Sequence, residues 1–127
     1  MKTINTNGIN EWPKKWANCK DDIIFGKELI KLMKPFVNSL QQSSLSPKTI
    51  KRHIDNLFVL GRYIIDHLTY HEQDRAIIPV LLLTHLIDSW EGPMIHDFSR
   101  DNQNYFDATC RKFYAFLVNN KLKTLKL

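Results

Sequence analysis

Ser46-Pro47-Lys48-Thr49-Ile50-Lys51-Arg52-His53-Ile54-Asp55-Asn56-Leu57 opens the most regular stretch of the chain, which continues to Thr69. Ser46 can accept a bond from a free backbone N–H, and Pro47 suits the first helical position because its missing N–H would be unused there. Beyond this start, Ile50, Ile54, Leu57, Gly61, Ile64 and Leu68 recur at alternating spacings of four and three. At about 100° per residue they form one narrow stripe, flanked by Phe58 and Ile65. Lys48, Lys51, Asp55, Arg62 and Asp66 fall on the opposite side. The pattern predicts an amphipathic helix from Pro47 to about Thr69.

Working outward, Asp22 to Gln42 reads as a helix, with Leu29, Met33, Phe36, Val37 and Leu40 on its apolar face. Asp21 or Asp22 would cap it, and Pro35 is expected to kink or split it by removing a donor. A third helix is expected from Ile78 or Pro79 to about Ser89. It is apolar almost all round, which predicts a central buried position. A strand over Ile77 to Leu83 is the rival, against which Pro79 counts. Glu91-Gly92-Pro93 ends this element. A last helix is expected from Gln103 to Asn120. Phe106, Cys110, Phe113 and Leu117 form its inner stripe, and Asn104, Ala108, Arg111 and Ala115 its outer one. Residues 1–20 read as an irregular arm and 21–127 as a helical domain. The fold class is therefore all-α, a small four-helix bundle with an N-terminal arm.

With 127 residues, 43% of them hydrophobic and 24% charged, the chain has the composition of one globular domain. No apolar run approaches the length of about 20 that a membrane span needs. The first residues carry no apolar stretch of a secretory signal. Two cysteines, Cys19 and Cys110, fit a reduced thiol protein better than a disulfide scaffold. The expected location is the cytoplasm of a prokaryote, and nucleoid-associated if DNA is bound. The formal net charge of +5 is unevenly spread. Residues 1–20 carry +3, residues 71–102 carry −4 and residues 103–127 carry +4. Four scattered glycines exclude phosphate-cradling loops, and no nucleophile elbow or carboxylate pair is present.

Two stretches carry a family resemblance. Leu45-Ser46-Pro47-Lys48-Thr49-Ile50, followed by Ile54 and Leu57, resembles the second helix of the core-binding, SAM-like domain of tyrosine recombinases and phage integrases. Phe106-Asp107-Ala108-Thr109-Cys110-Arg111-Lys112-Phe113-Tyr114-Ala115-Phe116-Leu117 is similar to that domain's last helix, where a basic pair precedes an aromatic cluster. The resemblance covers residues 25–120, and both pieces stand in the family's order. It implies a four-helix domain that lies against duplex DNA. It also brings an expected absence. The family's catalytic domain, with its Arg and His groups and Tyr nucleophile, is not found within these residues. The chain is expected to be no enzyme, to need no cofactor and to cleave no strand.

The candidate DNA contacts are Lys48, Thr49, Lys51 and Arg52 at the start of the second helix, and Asn104, Arg111 and Lys112 on the last. Free N–H groups and the helix dipole favour an anion at the first site, and the cations add salt-dependent attraction to phosphates. The alternative is a solvated face with Lys51–Asp55 and Arg62–Asp66 as pairs four residues apart. Ala108 and Ala115 beside Arg111 permit close approach by a phosphate backbone or a partner helix. The tail, with Lys121, Lys123 and Lys126 among Leu122, Leu125 and Leu127, reads as a frayed end or a basic hook for a partner. Glu11-Trp12-Pro13-Lys14-Lys15-Trp16 fits base stacking, or more simply aromatic pinning of the arm to the core. His67 and His71 have a spacing that can ligate a metal on a helix, but no third ligand accompanies them, and no metal is expected. His53 is expected at the core edge and Cys110 within the core. The partner is expected to be duplex DNA, with a protein partner as the rival, favoured by the acidic stretch 71–102.

Overall fold

Among the described residues, three helices and a short N-terminal turn make the first half, and two more helices make the second. The structure is a computed structural model that describes residues 7–122. Lys2, Lys123, Leu125, Lys126 and Leu127 lie outside the described residues, as do the side chains of Lys121 and Leu122. The elements are a 3-10 turn at Asn7–Glu11, α1 (Trp12–Trp16), α2 (Lys20–Gln41), α3 (Pro47–Tyr70), a 3-10 turn at Glu72–Ala76, α4 (Pro79–Leu86) and α5 (Arg100–Leu117). A π-helical turn, Val118–Leu122, follows α5. No strand occurs among the described residues, so the all-α expectation holds. The chain divides into two compact units, Met1–Pro79 and Val80–Leu127.

In the first unit, α3 forms as its sequence pattern dictates. Ser46 Oγ accepts the Thr49 N–H at 3.2 Å, Pro47 is the first helical residue, and the Ile50–Leu68 stripe is buried throughout. α2 differs from expectation at both its start and its middle. Its N-cap is Cys19, and Asp22 sits three residues in, closing a capping box by accepting the Cys19 N–H at 3.0 Å. The helix also continues through Pro35 without splitting. Leu29, Ile30 and Met33 before the proline and Phe36, Val37 and Leu40 after it are all buried. Burial of these side chains outweighs the about 3 kcal/mol that a proline costs a helix interior.

The N-terminal segment is not an irregular arm over its described length. Trp12 and Trp16 are 8% and 0% exposed, and α1 packs on both α2 and α3. Trp16 Nε1 donates to the Phe58 carbonyl at 3.0 Å, and Arg62 Nη1 reaches the Trp16 carbonyl at 3.3 Å. Both halves of this lock depend on glycine. A Cβ on Gly61 would fall inside the Trp16 ring, and one on Gly26 would stand 2.9 Å from Pro13 Cβ. Base stacking by Trp12 or Trp16 is thereby ruled out, because their rings pack with Phe58 in the core.

In the second unit, α4 ends at Leu86, three residues short of the expected Ser89. It is not buried all round: Val80, Leu82 and Leu83 are buried, while Leu81 is 43% exposed. α5 begins three residues earlier than its hydrophobic pattern. Ser99 supplies the cap, its Oγ accepting the Asn102 N–H at 3.1 Å. The inner stripe Phe106, Cys110, Phe113 and Leu117 is 0% exposed. Burial pushes the Cys110 thiol far above its ordinary range, so it packs as a small apolar group, and His53 is likewise buried in the first unit.

Candidate functional site

The first group of expected contacts lies in the opening turns of α3. Lys48 and Lys51 are exposed, whereas Thr49 and Arg52 are half-buried. Thr49 serves the cap: its Oγ1 accepts from Ser46 Oγ at 2.9 Å and its N–H donates to the same Ser46 oxygen. Lys51 Nζ meets Asp55 Oδ2 at 2.8 Å. The pair is exposed, so its worth is at most about 1 kcal/mol and a phosphate can compete for the lysine. The second expected pair does not form. Arg62 turns to the Trp16 carbonyl, and Asp66 instead accepts from Asn18 Nδ2 at 2.9 Å.

The second group stands on α5. Asn104, Arg111 and Lys112 are exposed, as is Ala115, with Ala108 half-exposed among them. Their positions place them on the face opposite the buried stripe. Arg111 is anchored, because its Nη1 donates to the Trp90 carbonyl at 3.0 Å. That bond ties the helix to a loop the sequence shows only as a stop signal. Gln103 Nε2 donates to the Pro93 carbonyl at 3.0 Å and to Asp107 Oδ1 at 2.9 Å, while its Oε1 accepts the Ile95 N–H at 2.9 Å. Asp107 Oδ1 also accepts the Gly92 N–H at 3.1 Å. One buried amide and one carboxylate therefore rivet residues 92–95 to α5. Asp88 closes the loop's other end by accepting the Trp90 and Glu91 N–H groups at 2.7 and 2.8 Å. Bonds from the Glu91 and Trp90 N–H groups hold the Asp88 carboxyl below its usual range.

Two polar clusters in the first unit serve the fold. Asp22 is fully buried and accepts from Arg75 Nη1 and the Asn18 N–H, each at 2.7 Å. Burial alone would raise this carboxyl, but the Asn18, Arg75 and Cys19 donors and the Arg75 charge outweigh it and hold it low. Arg75 thus fastens the turn after α3 to the start of α2. His67 Nε2 meets Asp74 Oδ2 at 2.7 Å and stacks on His71 at a ring distance of 4.2 Å. His71 Nδ1 meets the His67 carbonyl at 3.1 Å. The two imidazoles lie nearly parallel instead of converging on a point, and no set of three metal-ligating side chains occurs among the described residues.

Comparison with known protein families, with curated proteins and with solved structures returns no match. No helix among the described residues is long and apolar enough to cross a membrane.

Proposed function

We propose that this chain binds duplex DNA without cutting it, as a core-binding, SAM-like domain of the recombinase type, holding backbone phosphates at the start of α3 and along the outer face of α5. The observation that carries the reading is the α5 face. Arg111 and Lys112 stand exposed beside small alanines, with the amide of Asn104 about two turns away. Small side chains let a phosphate backbone approach the helix, and the two cations meet it there. Lys48 and Lys51 support the reading from the first unit, where the dipole of a 24-residue helix adds to their charge. These contacts position a duplex and carry no base code.

A protein-interaction role is the second reading. Asp88, Glu91, Asp97 and Asp101 are all exposed in the segment before and at the start of α5. They would repel a phosphate backbone on that side and suit a basic protein surface.

The deciding experiment is a fluorescence-anisotropy titration of two unrelated 20-base-pair duplexes at about 50 mM salt, where phosphate contacts count most. The wild type should bind both with similar affinity. Lys112→Ala should weaken both by about three- to tenfold to the same extent. Absence of binding to either duplex would displace this reading in favour of the protein-interaction role.

A further inference from the structure

Trp90 is 78% exposed, yet the loop that carries it is fixed on every side. Its N–H is held by Asp88 and its carbonyl by Arg111. The Asp88 N–H returns to the Glu91 carbonyl at 3.0 Å, closing the turn. Gly92 lies so close to α5 that a Cβ there would overlap Cys110 Sγ. Gln103 and Asp107 then hold residues 92–95. A backbone turn held in this way has little conformational freedom left to lose when the indole it carries meets a ligand. The other two tryptophans are buried, so Trp90 is the one whose ring is offered to a ligand.

We infer that Trp90 stacks on an unpaired nucleobase, and that the ligand class extends from plain duplex to DNA with a gap or single-stranded segment. This rests on the DNA reading of α5. One feature points to a base. Arg111 bonds the Trp90 carbonyl directly and precedes Lys112, so the loop that carries the indole is tied to the helix whose cations are proposed to meet the phosphates. Asp88 and Glu91, next to Trp90 in sequence, oppose the phosphates on either side of that base and so limit the affinity. The base must be unpaired, because a base inside a duplex already has both faces covered and offers only its edges.

The test uses the full chain and three labelled DNAs of equal length: intact duplex, duplex with a three-nucleotide gap, and oligo-dT. Trp90→Ala should weaken the gapped duplex and oligo-dT by about tenfold, within the range for one stacked base, and Trp90→Phe should restore most of the loss. Emission from the buried Trp12 and Trp16 reports that the variant is folded. In the wild type, oligo-dT should quench the exposed Trp90 component. Equal effects of Trp90→Ala on all three DNAs, or none on any, would overturn the inference while leaving duplex binding standing. Failure of the wild type to bind any DNA would instead remove the duplex reading and this one with it.

Discussion

Gly61 shows how much one residue decides. In an exposed helix, Gly→Ala gains about 1 kcal/mol of helix propensity. Here the added methyl would fall inside the Trp16 ring, which is fully buried. Overpacking of about 1–3 kcal/mol or more outweighs the gain, so Gly61→Ala should lower the urea midpoint and expose Trp16, seen as a red shift in emission. In sequence, Gly61 reads as one more member of an apolar stripe. That it is a slot for an indole 45 residues earlier is a tertiary fact that no local pattern contains. Asp22 is a similar case. It looks like an N-terminal acid of α2, and its partner Arg75 lies 53 residues away. Asp22→Asn should cost about 3 kcal/mol near neutral pH, the lower end for a broken buried pair because Arg75 is partly exposed. Its carboxyl is held low in the folded state, so its stabilisation is present above the unfolded value of about 3.9 and is lost as pH falls through the lower folded value. The gap between wild type and Asp22→Asn in urea melts should therefore be full at neutral pH and shrink under acid conditions. A gap unchanged down to strong acid would contradict the assignment.

Elements were legible where sequence pattern and packing agree. The α3 start was readable from Ser46 and Pro47, and the α5 core from Phe106, Cys110, Phe113 and Leu117. Ser46→Ala should cost about 1 kcal/mol by removing the cap on Thr49. Boundaries slipped where polar residues do the work. Ser99 begins α5 ahead of its apolar stripe, and Cys19 caps α2 although cysteine is no usual capping residue. Pro35 misled in the other direction, since an exposed ring on a helix with a buried face on both sides leaves the helix whole. The candidate contacts followed the same division. Exposure of Lys48, Lys51, Asn104, Arg111 and Lys112 follows from helical phase. The clamp by Gln103 does not, because a glutamine at a helix start looks like any solvated amide. Gln103→Ala should free the Ile95 amide to exchange much faster while α5 itself stays protected, as read by hydrogen exchange. Each lost buried bond is worth about 1–3 kcal/mol. Unchanged exchange at Ile95 would show that the loop is held by something else.

At the scale of the whole molecule, the charge distribution carries the functional account. A net +5 is a weak signal, but Lys48, Lys51, Arg111 and Lys112 stand exposed on helical faces where a phosphate can reach them. Arg52 is half-buried, so Lys48 and Lys51 are the better pair to remove from α3. The measurement that tests the central claim most directly is duplex affinity as a function of salt, for the wild type and for the Lys48→Ala, Lys51→Ala double variant. Each phosphate that a cation neutralises steepens the fall of log affinity against log salt by about 0.9. The double variant should keep its melting transition and flatten that slope by about two. A salt-independent affinity, or an unchanged slope in a folded double variant, would contradict the account.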